Sequence, residues 1–196
     1  MKNYLLAHGF GFTNNYWNNL IKYLNGNIYF FNSKNVDKTK TYIGIGHSLG
    51  FLKLNNSDFK FEKLISLQGF LNFCGDFDRI HRIRKIAIEK VRTALMLNKN
   101  DSLCKFRKHC GYNEIDTADV ELNTLLLELD MMKKNYTHCG IRTLAIGSSD
   151  DVIVPMSIIS DNFKNLENVS ILKIEHGKHA LGYLHPLLIA EKINEF

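Results

Sequence analysis

The sequence predicts an α/β fold, a mainly parallel sheet of about six strands with helices on both faces. Short apolar runs indicate buried strands at residues 4–7, 27–31, 41–46, 63–67, 142–146 and 169–174. Several of the segments between them carry apolar residues at helical spacing. Strands that alternate with helices pair in parallel, because each helix returns the chain to the same end of the sheet.

The composition is that of a globular protein. Of its 196 residues, 45% are hydrophobic and only 2 are proline. These values exclude collagen-like and proline-rich disordered proteins, and the length fits one domain. No apolar run approaches the ~18 residues of a membrane span, and the first residues lack the apolar centre of a secretion signal. We therefore expect a cytoplasmic protein.

The cysteines form no Cys-x-x-Cys pair, so neither a zinc ribbon nor a thioredoxin-like redox site is indicated. In a cytoplasmic chain they are expected to be free thiols, largely buried. They are Cys74, Cys104, Cys110 and Cys139.

Two segments have helical periodicity. Residues 14–24 carry apolar side chains, including Trp17, at helical spacing. Residues 76–135 are almost purely helical in pattern, with an apolar face that starts at Ile80 and Ile83. This second segment is too long for one crossover between the fourth and fifth strands. We expect residues 76–135 to form a helical cap inserted into a core made of residues 1–75 and 136–196.

The positive charge is concentrated in one segment. The formal net charge is +5, but residues 79–108 hold ten basic and two acidic residues, a charge of +8. The rest of the chain holds 15 basic and 18 acidic residues, a charge of −3. Many cationic faces are merely solvated, yet a concentrated one also suits an acidic protein partner. No aromatic-interleaved basic motif is present, so no nucleic-acid partner is expected.

The strongest motif is Gly-His-Ser-Leu-Gly at residues 46–50. It fits Gly-x-Ser-x-Gly and lies between a predicted strand and a predicted helix, which is the context that this motif needs. The serine of such a motif occupies a tight turn at the carboxyl end of the sheet, and the glycines let strand and helix approach. A glycine-rich loop with an incidental serine is the alternative. We predict that Ser48 is a nucleophile.

A serine hydroxyl needs a base within reach and an acid to orient that base, and in this type of site the acid comes next along the chain. The acid candidates are Asp150 and Asp151, which follow the predicted strand at residues 142–146. Asp151 is preferred because it begins an Asp-x-x-Val-Pro run that ends at Pro155. Asp150 remains the second candidate.

The base candidates follow the predicted strand at residues 169–174. His179 is preferred, and His176 and His185 are its rivals. The chain order of serine, acid and histidine, and the placement of each just past a strand end, favour a shared site, because parallel strands end at one edge.

Acyl transfer also needs two backbone N–H groups that stabilise the developing oxyanion. One donor should be Leu49, directly after the candidate nucleophile. The other should come from His-Gly-Phe-Gly at residues 8–11, after the first strand, where Phe10 is the candidate. The loss of one such donor typically costs ~10²–10³ in rate.

With these residues the chain resembles the α/β-hydrolase superfamily over nearly its whole length. The segment 8–11, Ser48, Asp151 and His179 occur in the superfamily's order, and Pro186 follows seven residues after the histidine. Because the sequence begins directly at the strand that bears His-Gly, we expect the superfamily's usual first two strands to be absent. The resemblance implies a trimmed α/β-hydrolase fold.

Within the superfamily the chain is most similar to the pimeloyl-acyl carrier protein methyl ester esterases of biotin synthesis. The similarity rests on Trp17, the run at residues 64–67, the Asp-x-x-Val-Pro box at residues 151–155 and His-Pro at residues 185–186. It implies a carboxylesterase without metal or organic cofactor, acting on an acyl chain held by an acidic acyl carrier protein. By resemblance, the carrier contacts lie in the cap, at Arg79, Arg82, Arg84 and Arg92.

Two other functions fit the same residues. A thioesterase or a generic short-acyl esterase would use the same serine, histidine and aspartate. A hydrolase-like binding protein would retain the fold without catalysis.

Overall fold

The computed structural model describes residues 1–34, 36–114 and 120–196. Within these residues, the strands that form one sheet are β1 (Lys2–Ala7), β2 (Gly26–Phe30), β3 (Thr41–His47), β4 (Lys60–Leu67), β5 (Thr143–Ser148) and β6 (Val169–Ile174). Their order across the sheet is β2-β1-β3-β4-β5-β6, and every neighbouring pair is parallel. The predicted parallel sheet is confirmed.

The helices of the described residues are α1 (Leu49–Asn55), α2 (Asp78–Leu97), α3 (Lys99–His109), α4 (Leu122–Met131), α5 (Met156–Phe163), α6 (Leu181–Leu184) and α7 (Pro186–Glu195). The helices α2, α3 and α4 follow one another between β4 and β5, and α2 packs on the other two. Residues 115–119 of the expected helical block lie outside the described residues. Across the described residues, no helix is both long and apolar enough to cross a membrane.

Apolar clusters cover both faces of the sheet. In β1, Leu5 and Ala7 belong to the cluster that contains α1 and α5, whereas Tyr4 and Leu6 belong to the cluster that contains α7. This alternation follows from the two-residue period of a strand. A parallel sheet buried on both sides is the arrangement that short, continuous apolar strands favour.

The single helix expected at residues 14–24 is instead a pair of short 3₁₀ helices, Asn14–Trp17 and Leu20–Tyr23. Thr13 caps the first through its hydroxyl, and Asn18 and Asn19 separate the two. Asparagine side chains compete with helical backbone hydrogen bonds, which favours a break at this point. The apolar residues are nevertheless buried, and Trp17 has no exposed surface.

All four cysteines are free, as predicted. Cys74 and Cys110 are buried, whereas Cys104 and Cys139 are exposed, so the predicted burial is wrong for these two. Burial raises the pKa of the Cys74 and Cys110 thiols. These two cysteines therefore stay protonated and pack as small apolar groups.

The order of the strands reverses beside β1. β2 lies on one side of β1 and β3 on the other, so successive connections run toward opposite edges of the sheet. In open parallel sheets, such a switch point leaves a crevice at the carboxyl ends of the strands, where ligands bind. The loop at residues 8–11 follows β1 and Ser48 follows β3, so both border this crevice.

Candidate active site

Ser48 occupies the tight turn between β3 and α1. Its backbone φ and ψ are 52° and −122°, a positive-φ conformation that few residues other than glycine adopt. The Ser48 N–H donates to the carbonyl of Leu67 at the end of β4, over 2.8 Å. Backbone strain of this kind persists only where the surrounding structure enforces it, and it is concentrated at functional sites.

The two glycines of the motif make this turn sterically feasible. A Cβ at Gly46 would lie 2.3 Å from Cα of Phe51, and a Cβ at Gly50 would lie 1.9 Å from the carbonyl oxygen of Ala7. Both distances are far below any real contact of a methyl group. The motif therefore needs glycine at both positions, because the backbone is closely approached on each side of the serine.

Asp151 and His179 form a buried pair. Nδ1 of His179 donates to Oδ2 of Asp151 over 2.7 Å, and both side chains are almost fully buried. The other carboxylate oxygen, Oδ1, accepts from the backbone N–H groups of Ile153 and Val154 at 2.8 and 3.0 Å. Because the proton lies on Nδ1, Nε2 of His179 retains its lone pair and can act as a proton acceptor.

Ser48 directly follows His47, whose ring lies beside that of His179. The ring centroids of His47 and His179 are 4.9 Å apart. Among the described residues, no hydrogen bond joins the Ser48 hydroxyl to His179. In many enzymes the hydrogen bond between nucleophile and base tightens only in the substrate complex. The structure thus brings the three predicted side chains to one edge of the sheet without that contact.

Asp150, the second acid candidate, has a different environment. Its Oδ1 accepts from the backbone N–H groups of Gly177 and Lys178 at 3.0 and 2.9 Å, and from the hydroxyl of Ser148. Burial alone would raise the pKa of Asp150, but these hydrogen bonds outweigh it and lower the pKa. Asp150 therefore anchors the loop that carries His179, and among the described residues it makes no hydrogen bond to the His179 ring.

The rival histidines lie outside the pair. His176 is exposed in the loop after β6, and His185 is half-buried directly before α7. Among the described residues, neither imidazole hydrogen-bonds to Asp150 or Asp151.

Gln68 is a site residue that the sequence interpretation missed. It is fully buried at the end of β4, with a φ of 54°. Its Nε2 donates to Oδ2 of Asp151 over 2.8 Å and to the carbonyl of Lys178, while its Oε1 accepts from the N–H of Leu181 over 3.1 Å. In the sequence, this role is indicated by the presence of a polar residue directly after a predicted buried strand.

His47 is the second missed residue. Its Nε2 donates to the carbonyl of His179 over 2.7 Å, and its ring stacks on Tyr16 with centroids 4.2 Å apart. Complete burial, and then the nearby His179, keep the pKa of His47 well below its usual value. His47 is therefore neutral and holds the backbone of His179 in place.

The two candidate oxyanion donors border Ser48. Leu49 is the first residue of α1, where an N–H group has no acceptor within the helix. The loop of Phe10 lies directly against the turn, because a Cβ at Gly9 would be 3.0 Å from Cβ of Ser48. Phe10 and Ser48 also line one cavity.

This cavity has a volume of about 460 Å³ and lies beneath α2. Its lining is mostly apolar, and includes Phe10, Phe70, Phe106 and Leu129. A larger groove of about 930 Å³, bordered by Lys53 and Asn14, does not include Ser48. The smaller cavity is the candidate acyl site because Ser48, the candidate nucleophile, lines it.

The sequence itself matches no family model and no curated protein. Solved structures do match over the whole chain. An esterase from Exiguobacterium antarcticum has a TM-score of 0.78 and 12% identity, covering 100% of this chain and 91% of that one. A lipase-esterase related protein from Clostridium acetobutylicum ATCC 824 has a TM-score of 0.71 and 18% identity, covering 100% and 94%.

A third similar structure is that of an α/β hydrolase. MGS-M2, an alpha/beta hydrolase enzyme from a Medee basin deep-sea metagenome library, has a TM-score of 0.64 and 11% identity, covering 99% of this chain and 88% of that one. The chain has the α/β-hydrolase fold. At such low identities the likeness establishes this fold alone, because one fold supports many functions.

The arginines expected to contact a carrier lie on α2 of this α/β-hydrolase fold, in different environments. Arg79 and Arg82 are exposed. Arg84 points inward and lines the cavity of Ser48. Arg92 forms ion pairs with one carboxylate on α2 and one on α4. Among the described residues, no cluster of His, Cys, Asp and Glu side chains is arranged to bind a metal ion.

Proposed function

We propose that the chain is a serine carboxylesterase, with Ser48 as nucleophile, His179 as general base and Asp151 as the acid that orients it. One observation carries the proposal. Ser48 occupies a positive-φ turn and lines an apolar cavity at one edge of the sheet. At the same edge, the buried His179–Asp151 pair leaves Nε2 of His179 able to accept a proton. Within an α/β-hydrolase fold this combination favours acyl transfer.

The reaction proceeds in two steps. Oγ of Ser48 attacks the ester carbonyl while Nε2 of His179 takes its proton, and Asp151 stabilises the imidazolium that forms. The N–H groups of Phe10 and Leu49 bind the tetrahedral oxyanion. His179 then protonates the departing alcohol, and water releases the acid from the acyl-enzyme by the same sequence of proton transfers. No metal or organic cofactor takes part.

The specific substrate we propose is a pimeloyl methyl ester on acyl carrier protein, in the biotin pathway of the cytoplasm. In this proposal residues 76–135 act as the cap, and an acidic carrier docks on its cationic face. The exposed Arg79 and Arg82 support such docking, whereas Arg84 and Arg92 are engaged within the chain. Docking of this kind is fast and weakens as salt concentration rises.

Fluorophosphonate labelling and hydrolysis of p-nitrophenyl butyrate test the catalytic proposal. We expect wild-type protein to be labelled at Ser48 and to hydrolyse the ester. Ser48→Ala should remove both signals, while Ser170→Ala, which changes an exposed serine on β6, should retain them. Absence of labelling in folded wild-type protein would favour a binding protein, and full activity of Ser48→Ala would exclude the assigned nucleophile.

The substrate is tested separately. Wild-type protein should restore growth of a biotin-requiring strain that lacks its pimeloyl ester esterase, and Ser48→Ala should not. In solution, the carrier-bound methyl ester should be hydrolysed faster than the free ester, with a preference that declines as salt is added. Equal rates on both would favour a generic short-acyl esterase, and faster cleavage of an acyl thioester would favour a thioesterase.

A further inference from the structure

Arg84 places a guanidinium group in the cavity of Ser48. It lies in the second turn of α2 and is the only arginine or lysine among the described cavity-lining residues. Its guanidinium lies over the ring of Phe73, with the central carbon 4.9 Å from the ring centroid. Its Nη1 donates to the carbonyls of Phe73 and Ile153 at 3.2 and 3.3 Å.

Among the residues that the structure describes, the positive charge of Arg84 has no ion-pair partner. Both of its hydrogen-bond acceptors are neutral carbonyls, and among the described residues no carboxylate lies within ion-pair distance. Arg92, on the same helix, has two such partners. Asp151 attracts Arg84 through space, but its oxygens already accept from His179, Gln68 and two backbone N–H groups.

Burial makes this charge energetically costly. It lowers the pKa of the Arg84 guanidinium, although arginine remains protonated. A cation that is partly removed from water and lacks a counter-charge gains strongly from an anion that reaches its remaining N–H groups. The two carbonyls use Nη1 only, and within the described residues Nη2 and Nε donate to no other group.

We propose that Arg84 binds an anionic group of the substrate, so that the enzyme selects esters whose acyl chain carries a carboxylate or phosphate remote from the ester. This inference rests on the proposed esterase function but not on the proposed carrier-bound substrate, because a pimeloyl methyl ester on a carrier ends in a thioester and has no free carboxylate. The apolar lining of the cavity, which includes Phe10, Phe70 and Leu129, accommodates the hydrocarbon part. The ester carbonyl lies at Ser48 and the anion at the guanidinium, so the distance between them sets a preferred chain length.

Selectivity between matched esters measures the role of Arg84. One set consists of monomethyl esters of straight-chain dicarboxylic acids, and the other consists of methyl esters of monocarboxylic acids of equal length. The wild-type protein should prefer the acid-ended esters and show an optimum chain length. In Arg84→Met the ratio of the two kcat/KM values should fall by about 10- to 100-fold, the range for a lost charge-assisted hydrogen bond.

Lys85→Met is the matched control, because it removes one charge from the neighbouring, exposed position of the same helix. It should leave the selectivity ratio and the optimum chain length unchanged. If Arg84 only attaches α2 to the core, Arg84→Met will lower both kcat/KM values in parallel, which would overturn the proposal. A wild-type protein that prefers the neutral esters would overturn it as well.

Two further arms complete the test. Phosphate-ended esters of the same lengths identify the anion, since the better substrate set shows whether Arg84 accommodates a carboxylate or a phosphate. Calorimetric binding of the dicarboxylic acids to Ser48→Ala, with and without Arg84→Met, reports on the anion site without catalysis. If wild-type protein hydrolyses no ester but these acids bind through Arg84, the proposed function fails and the anion site remains. If the dicarboxylic acids do not bind and neither set of anion-ended esters is preferred, the anion site fails.

Discussion

The amide of Gln68 and the carboxylate of Asp151 are joined by a buried hydrogen bond of 2.8 Å between Nε2 and Oδ2. The same carboxylate oxygen accepts from His179. Gln68 also holds the carbonyl of Lys178 and the N–H of Leu181, which flank the histidine. One amide therefore fixes both the acid and the backbone on either side of the candidate base.

Replacement of Gln68 by leucine should lower kcat by up to about 100-fold, because a small displacement of the base is enough for such a loss. KM should change little, since Gln68 does not line the cavity. The variant should also be less stable, because each buried group left unpaired costs about 1–3 kcal/mol. Steady-state kinetics and urea denaturation measure the two effects.

The matched control is Asn162→Leu, which removes an amide that hydrogen-bonds the backbone of Leu71 and Asn72 away from the site. It should lower stability with little change in kcat. Equal losses of kcat in the two variants would indicate that Gln68 acts only through stability.

Asp150→Asn and Asp151→Asn separate the two acid candidates. Asp151→Asn should lower kcat by about 10⁴-fold, because an amide at this position favours the wrong tautomer of the histidine. Asp150→Asn keeps an oxygen that accepts from Gly177 and Lys178, so its kcat should fall by less than about tenfold. The reverse ranking in a stopped assay of folded variants would assign the role to Asp150.

Much of the fold could be predicted because buried strands are short apolar runs. The last strand was predicted at residues 169–174 and is found at Val169–Ile174. β4 begins at Lys60, three residues before the predicted start at residue 63. The prediction began too late because the charged side chains of Lys60 and Glu62 interrupt the apolar pattern. Residues 14–24 were predicted as one helix because apolar spacing does not reveal the break that two asparagines favour.

Residues of the candidate site could be predicted only where their position along the chain, just after a strand and in the expected order, indicates their chemical role. Ser48, Asp151 and His179 each follow a strand in the expected order, and the structure gathers them at one edge. Gln68 also follows a strand, but its contacts join residues far apart in the sequence. The inward direction of Arg84 depends on the rotation of α2 about its own axis, which a run of basic residues does not define.

Acid should destabilise the protein through His8, in the loop that carries Phe10. Burial, and then the nearby Lys53, lower the pKa of His8 to about 4. The unfolded chain binds this proton near its ordinary pKa of ~6.5. The stabilising contribution of neutral His8 is therefore complete above that pH and is lost as the pH falls toward 4. Urea midpoints measured from neutral pH to about pH 4.5 should decline over this window.

His8→Gln should decline less over the same range, because its side chain does not titrate. Glutamine keeps an oxygen that can accept from Asn32, the present partner of His8 Nε2. A remaining decline is expected from His47, whose pKa is also lowered by burial. Parallel curves for the variant and the wild-type protein would show that His8 does not contribute.

Gly50→Ala should prevent folding or destabilise the protein by about 4 kcal/mol or more, because its Cβ would lie 1.9 Å from the carbonyl oxygen of Ala7. Gly140→Ala is the matched control. Its φ is 82°, and no atom of the described residues beyond its chain neighbours lies within 4 Å of the added Cβ, so only the conformational cost of about 1–2 kcal/mol applies. Urea denaturation separates the two variants, and a Gly50→Ala protein as stable as Gly140→Ala would contradict the close contact between α1 and β1.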